Sequence, residues 1–304
     1  MDIFSLDAAK PFFDKISNSI SVPEQWLKLF REVHSAKDPA ALAEFPEVTM
    51  REESCRGREG HSIPLVIFQP AASSNKIFIY IHGGGFISGL GGRHLAWAKY
   101  MAAHGKMMVV CVEHRLAPEF PFPAALHDCI DVYRYYREST QAEIIVGGDS
   151  SGGNLALAAG VYCLQNKIKL PDKLLALSAV TDMNFEKHTS MLQRGVDNPV
   201  ISHMFLAVGA FQRACYAPNI NDWNNPLISP ICADLSHMSP VLIVAPEQDY
   251  CYDDNICFYK KMQQVGGMVT LHSYPGMPHS FFSYLTILPE QAEVANRRMI
   301  EFIG

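Results

Sequence analysis

Apolar runs of strand length alternate along most of this chain with segments of helical periodicity, and this alternation constrains the fold more than any other feature. It is typical of a mostly parallel β-sheet wrapped by helices. Because parallel strands need long crossover connections, the helical segments are expected to be those crossovers. A length of 304 residues suits a single large α/β unit of this kind.

We predict a sheet of eight strands that is covered by five helices. The strands lie at 48–55, 63–69, 76–81, 107–112, 143–147, 174–179, 241–245 and 269–274. The helices lie at 95–103, 124–138, 153–165, 253–264 and 289–303. Glycines at 57 and 60 predict a hairpin between the first two strands, which would be antiparallel. The later strands, joined by helices, are expected to be parallel.

Two segments fall outside this alternation, at residues 1–45 and about 183–225. The first has apolar residues at helical spacing, namely Trp26, Leu27, Phe30 and Val33. The second has spacings close to three and four in Met191, Val200, Met204, Phe205, Val208 and Phe211. We predict that both segments form a helical cap over the sheet. No repeat or linker divides the chain, so residues 46–304 are expected to be one domain into which the second cap segment is inserted.

Charge and composition exclude several classes of partner. The chain has 25 Lys and Arg against 31 Asp and Glu, a formal charge of −6, and no basic stripe, so a nucleic-acid partner is not expected. Residues 1–13 lack the apolar core of a signal peptide. No apolar stretch approaches the ~20 residues that cross a bilayer. The 8 cysteines include no C-x-x-C pair and lie mostly in apolar runs, which indicates reduced thiols in a cytoplasmic protein.

The strongest local signal is a G-x-S-x-G motif formed by Gly148, Ser150 and Gly152. It follows a predicted strand and precedes a predicted helix. A serine on such a tight strand-to-helix turn is held exposed as a nucleophile, and the small neighbours relieve crowding at the turn. The alternative is a glycine-rich turn that binds an anion at the helix N-terminus.

A second motif follows the third predicted strand, where His82 is succeeded by Gly83, Gly84 and Gly85. Successive glycines let backbone N–H groups converge on one point, as an oxyanion requires. We predict that the N–H groups of Gly84 and Gly85 form an oxyanion hole with that of Ser151, and that Gly83 belongs to the same loop. The alternatives are a flexible loop or a phosphate loop that lacks the G-K-[ST] ending. His82 is expected to brace the loop by hydrogen bonding.

A serine nucleophile needs a base, and the base needs an acid that orients it. In the strand-to-helix arrangement both follow the serine in the chain, acid first. Acids follow the strand at 241–245, namely Glu247, Asp249, Asp253 and Asp254, and strand ends lie at the rim where the serine sits. We select Asp249 as the acid. His279 is the expected base, because the loop after the next strand brings it to the same rim.

These motifs, in this order, resemble the hormone-sensitive lipase family of the α/β-hydrolases, in particular its bacterial short-chain esterases. The likeness spans roughly residues 48–304 and includes the stretch from Arg115 to Ala124. It implies an α/β-hydrolase fold with a cap, and a serine carboxylesterase that cleaves small short-chain esters through an acyl-enzyme. By resemblance Ser150 is the nucleophile, His279 the base and Asp249 the acid, with no cofactor or metal. It also implies a homodimer paired through the last strand and helix.

Several positions depart from the family pattern. Ser151 stands where alanine is frequent, His114 and Phe120 replace the usual Tyr and His, and Tyr250-Cys251 replaces the usual Pro-Leu after the acid. None of these changes removes a catalytic group. The same residues could instead cleave an amide or formamide, or deacetylate a sugar or drug. A receptor that binds a small molecule without turnover is the third reading, although such proteins typically lose a triad member.

Overall fold

The computed structural model describes residues 24–34, 42–184 and 209–304. Eight strands form one sheet: β1 (Val48–Arg56), β2 (Ser62–Pro70), β3 (Lys76–Ile81), β4 (Met108–Val112), β5 (Glu143–Asp149), β6 (Lys173–Leu177), β7 (Val241–Gln248) and β8 (Val269–Pro278). The longer helices are α1 (Glu24–His34), α2 (Gly92–Gly105), α3 (Ala124–Ser139), α4 (Ser151–Gln165), α5 (Tyr252–Gln264) and α6 (Pro289–Ile303).

The sheet has the order β1-β2-β4-β3-β5-β6-β7-β8. The β1–β2 hairpin and the β2–β4 pair are antiparallel, and every pair from β4 to β8 is parallel. The carboxyl ends of β3, β5, β7 and β8 therefore meet at one edge of the sheet, where open α/β sheets bind ligands. The predicted α/β-hydrolase fold is confirmed.

Each face of the sheet carries its own apolar core. Along β3, Phe78 packs into one core and Ile79 into the other, because successive strand residues point to opposite faces. Helices α2 and α6 cover the first face, with Trp97 and Met299 fully buried there. Helices α3, α4 and α5 cover the second face. Burial on both sides explains why the central strands read as continuous apolar runs in the sequence.

The eight predicted strands and five predicted wrapping helices all occur, but several of them begin or end at other residues than predicted. Strand β6 ends at Leu177 rather than residue 179, because Ser178 has a left-handed φ of 47°. Strands β7 and β8 run longer than predicted, since their pairing continues through an irregularity to Gln248 opposite Pro278. Helix α4 begins at Ser151, two residues early, directly after the G-x-S turn.

Helix α1 confirms the predicted helical period around residues 26–33. Its Arg31 donates to the carbonyl oxygens of Ile87 (2.7 Å) and Ala117 (3.0 Å) and pairs with Glu119. These bonds fix the helix to the segment that follows the glycine-rich loop, through Ile87, and to the turn after β4, through Ala117 and Glu119.

Of the second predicted cap segment, the structure describes residues 183–184 and 209–225, so Met191, Val200, Met204, Phe205 and Val208 lie outside the described residues. Residues 209–216 are helical. The Tyr216 ring there stacks on Phe86, with ring centroids 3.8 Å apart. This helix and α1 thus both contact the segment after the glycine-rich loop.

All 8 cysteines lie in the described ranges and all are free thiols, with only Cys232 and Cys257 exposed. Across residues 24–34, 42–184 and 209–304, no helix combines the length and hydropathy that a membrane span requires.

Candidate active site

Ser150 occupies a strained turn between β5 and α4. Its φ of 56° and ψ of −121° lie in a sparsely populated region, a conformation that costs about 1–3 kcal/mol and persists only where the surroundings enforce it. The neighbouring strand enforces it here: the Ser150 N–H donates to the Leu177 carbonyl (2.9 Å), and the Ser150 carbonyl accepts from the Val180 N–H (3.2 Å). The turn holds the serine hydroxyl at the carboxyl edge of the sheet.

Gly152 lets this turn pack against β3. A Cβ atom at this position would overlap the carbonyl oxygens of Ile81 and His82. The start of α4 therefore lies directly against the end of β3, where the glycine-rich loop begins. The last glycine of the G-x-S-x-G motif is thus required by a close backbone approach.

The structure pairs His279 with Asp249. His279 follows β8 and Asp249 follows β7, and the imidazole Nδ1 lies 2.8 Å from Asp249 Oδ1. The Asp249 side chain is fully buried, whereas the His279 side chain is 23% exposed. The Cys251 N–H donates to the same carboxylate oxygen (2.9 Å), which fixes the carboxylate. In this geometry the imidazole is oriented through Nδ1, and Nε2 is left for the reacting atoms.

The other acids considered in the sequence make different contacts. Glu247 accepts from the Ser273 hydroxyl (3.3 Å), and the buried Asp254 accepts from the Thr181 N–H (2.7 Å). Asp253 lies in the first turn of α5. Of these four acids at and beyond the carboxyl end of β7, Asp249 is therefore the one hydrogen-bonded to His279.

Tyr250 lies between the serine and the histidine. Its hydroxyl is 3.4 Å from Ser150 Oγ, and its ring stacks on the His279 imidazole with centroids 4.8 Å apart. Burial raises the pKa of the Tyr250 phenol well above its usual value, and the negative charge of Asp249 acts in the same direction. Ser150, Asp249 and His279 are thus gathered around one aromatic ring.

The glycine-rich loop passes beside the serine turn. Gly84 and Gly85 have φ values of +119° and +62°, which glycine adopts without strain. Within the described residues neither N–H has an acceptor. Gly83, the remaining glycine of the predicted oxyanion loop, instead donates its N–H to Asp149 Oδ1 (2.8 Å), because this buried carboxylate needs donors. Ser151 opens α4, and the first N–H groups of a helix lack acceptors within it.

Asp149 connects three parts of the site. Its carboxylate accepts from Tyr80 (2.6 Å), from the Gly83 N–H and from the Ser280 hydroxyl (3.2 Å), which is adjacent to His279. Burial alone would raise the pKa of Asp149. Attraction from His94 and Arg93, together with the hydrogen bond from Tyr80, outweighs burial and holds that pKa well below its usual range. A buried carboxylate therefore joins the serine turn, the glycine-rich loop and the histidine loop.

His82 braces the loop, as the sequence predicts. Its Nδ1 lies 2.8 Å from the Gly83 carbonyl oxygen, and its ring stacks on His114 at 4.3 Å. Burial lowers the pKa of both imidazoles, so both are neutral near pH 7. A buried neutral histidine facing another histidine serves as a hydrogen-bonding support.

Two neighbours of the site were not predicted from the sequence. The Gln212 side chain lies where a Cβ at Gly85 would project, and no sequence signal marks it. Tyr250 contacts Ser150, and its only sequence signal is the departure from the usual Pro-Leu. Asp249, Cys251 and His279 also bring three metal-ligating atoms within 4.8 Å of one another, although Asp249 and His279 are hydrogen-bonded here.

Comparison with known proteins shows the family to which this chain belongs. A family model described as the alpha/beta hydrolase fold matches residues 78–283, more than half of the chain. The ethyl acetate hydrolase of Pseudomonas putida is 28% identical over 248 residues, covering 78% of this chain and 76% of that protein. Carboxylesterase NlhH of Mycobacterium tuberculosis is 28% identical over 278 residues, covering 86% of this chain and 83% of that protein.

A solved structure shares the fold as well. The hyperthermophilic esterase of the archaeon Pyrobaculum calidifontis superposes with a TM-score of 0.80 at 24% identity, covering 96% of this chain and 95% of that one. The matched family model spans both the glycine-rich loop and the loop that carries His279. The chain belongs to the α/β-hydrolase fold family, in the hormone-sensitive lipase branch that its motifs resemble.

Proposed function

We propose that this protein is a serine carboxylesterase that hydrolyses small short-chain esters. One observation carries the proposal: a serine in a strained strand-to-helix turn shares the carboxyl edge of the sheet with a histidine that a buried aspartate orients at 2.8 Å. The relatives named ethyl acetate hydrolase and carboxylesterase support an ester as the substrate class. A non-catalytic receptor is disfavoured, because Ser150, Asp249 and His279 are all present.

In the proposed mechanism the Ser150 hydroxyl attacks the ester carbonyl while His279 Nε2 takes its proton. Asp249 holds the imidazole through Nδ1 and stabilises the charge that develops on it. The oxyanion accepts hydrogen bonds from the N–H groups of Gly84, Gly85 and Ser151, and Gly83 is left out of this set because its N–H is engaged by Asp149. His279 then protonates the leaving alcohol and activates the water that hydrolyses the acyl-enzyme.

The test is hydrolysis of p-nitrophenyl acetate, butyrate, octanoate and palmitate by the wild type, Ser150→Ala and His279→Ala. We expect turnover that declines beyond octanoate and a loss of at least ~10³-fold in kcat in both variants, because only binding and the oxyanion hole remain. Exposed counterparts, Ser73→Ala and His237→Ala, serve as matched controls. Hydrolysis by Ser150→Ala near the wild-type rate would overturn the assignment.

The same groups could cleave an amide. The anilides that correspond to the p-nitrophenyl esters are therefore assayed in parallel. A kcat/KM that is higher for the anilides than for the esters would reassign the substrate class while keeping the three catalytic roles. If a fluorophosphonate labels Ser150 but neither the esters nor the anilides are turned over, the result would instead support a binding protein with a reactive serine.

We also propose a cytoplasmic homodimer with a helical cap formed by residues 1–45 and 183–225. The free thiols support a reducing compartment. Helix α1 and residues 209–216 support a cap, since both contact the segment after the glycine-rich loop. The unpaired edge of β8, with the exposed Met268 beside it, supports pairing through the last strand.

A further inference from the structure

The Tyr250 hydroxyl contacts the nucleophile directly. It lies 3.4 Å from Ser150 Oγ, within hydrogen-bonding distance. In the described part of the chain no hydrogen bond joins Ser150 to His279, whose Nδ1 is bonded to Asp249. The ring stacks on His279 at an interplanar angle of 29°. One side chain therefore touches both the attacking atom and the base, and its backbone follows the acid directly.

The direction of this hydrogen bond follows from the chemistry of the serine. To be activated, Ser150 must donate its proton to His279 Nε2. Oγ can then only accept from Tyr250, so the phenol is the donor. The phenol holds its proton, because burial and the neighbouring Asp249 carboxylate disfavour its ionised form.

We propose that Tyr250 is a catalytic residue of the deacylation step, donating a hydrogen bond to Ser150 Oγ as this oxygen leaves the acyl group. The inference rests on the proposed esterase function. In deacylation water attacks the acyl carbon and gives its proton to His279. The C–Oγ bond then breaks, the electron pair goes to Oγ, and Oγ takes the proton from His279. Tyr250 keeps its own proton throughout and stabilises the negative charge that builds on Oγ.

The two half-reactions respond oppositely to this donor. In acylation Oγ is the attacking atom, and a hydrogen bond that withdraws electron density from Oγ weakens the attack. In deacylation Oγ is the leaving atom, and the same hydrogen bond assists its departure. The hydroxyl should therefore accelerate the second step without accelerating the first.

The test is Tyr250→Phe, which keeps the ring against His279 and removes only the hydroxyl. Pre-steady-state hydrolysis of p-nitrophenyl acetate gives the acylation and deacylation rate constants, and intact-protein mass gives the acylated fraction at steady state. We expect the deacylation constant to fall about tenfold, which corresponds to one hydrogen bond of ordinary strength. The acylation constant should stay the same or rise, so the acylated fraction should increase.

The matched control is Tyr252→Phe, which loses a hydroxyl that faces Ser273 (3.3 Å) rather than the nucleophile. Its two rate constants should equal those of the wild type. Unchanged rate constants in Tyr250→Phe would show that the hydroxyl has no role beyond packing. Equal losses in acylation and deacylation would show that Tyr250 only positions Ser150. Either result overturns the inference. A wild type that forms no acyl-enzyme would overturn the proposed function itself, so the two failures are distinguishable.

Discussion

Ser150 and Ser151 are adjacent in the turn, but their side chains lie in different environments. Ser150 is forced into its conformation by backbone hydrogen bonds to β6 and the segment after it, so its side chain emerges into the site. The Ser151 hydroxyl is buried and has no partner among the described residues. The N–H of Ser151, not its hydroxyl, is the group proposed for the oxyanion hole.

Ser151→Ala should therefore retain activity within about threefold and raise the thermal stability. Removing a buried hydroxyl without a partner relieves a desolvation cost of about 1–3 kcal/mol. The measurements are Tm and kcat/KM on p-nitrophenyl butyrate, with Ser73→Ala as an exposed control. A lower Tm together with a kcat loss above tenfold would show that the hydroxyl participates in the site.

Single residues also show how much of the candidate site can be predicted from the sequence. Chain order and strand position select Asp249 and His279, and the structure finds them hydrogen-bonded at 2.8 Å. The sequence places Gly83 in the oxyanion loop but does not show which group its N–H contacts. The N–H of Gly83 is taken by Asp149, a contact between residues far apart in the chain that no local pattern encodes.

At the scale of elements, β8 is the strand that carries His279 and forms one edge of the sheet. An edge strand presents unpaired N–H and C=O groups, which invite pairing with a second chain. Met268 beside it is 65% exposed and Thr270 within it is exposed. The proposed dimer would cover both residues.

Light scattering should accordingly give about twice the 33.9 kDa mass of one chain. Met268→Lys combined with Thr270→Lys should shift the protein toward the monomer, because charged side chains on an edge oppose pairing. Ile220→Lys, at a position 64% exposed on a short helix outside the sheet, is the control and should leave the mass unchanged. A wild type that scatters as a monomer at all concentrations would contradict the dimer.

At the scale of the whole molecule, stability should depend on pH through buried histidines under the glycine-rich loop. Burial lowers the pKa of His82, His94 and His114. Below the ordinary histidine pKa of about 6.5 the unfolded chain binds protons that the native state excludes, so stability is full above that pH and falls as the pH drops toward the lower native pKa values.

Tm should thus decrease by a few degrees between about pH 7.5 and about pH 5.5. His114→Gln, which removes one titrating ring, should reduce this decrease. The exposed His237→Gln variant should show the wild-type dependence. A Tm that is constant or rises as the pH falls would mean that the buried imidazoles gain protons without cost.

The sequence by itself determined the strand and helix order, the strand-to-serine-to-helix turn, and the order of acid and base. These are local features, set by apolar periodicity, glycine spacing and the chain order that a parallel sheet imposes. The tertiary structure alone decided that β4 lies between β2 and β3, that Asp149 engages Gly83, and that Tyr250 lies between Ser150 and His279. These contacts join residues that are distant in the chain, and packing of the assembled sheet and loops selects them.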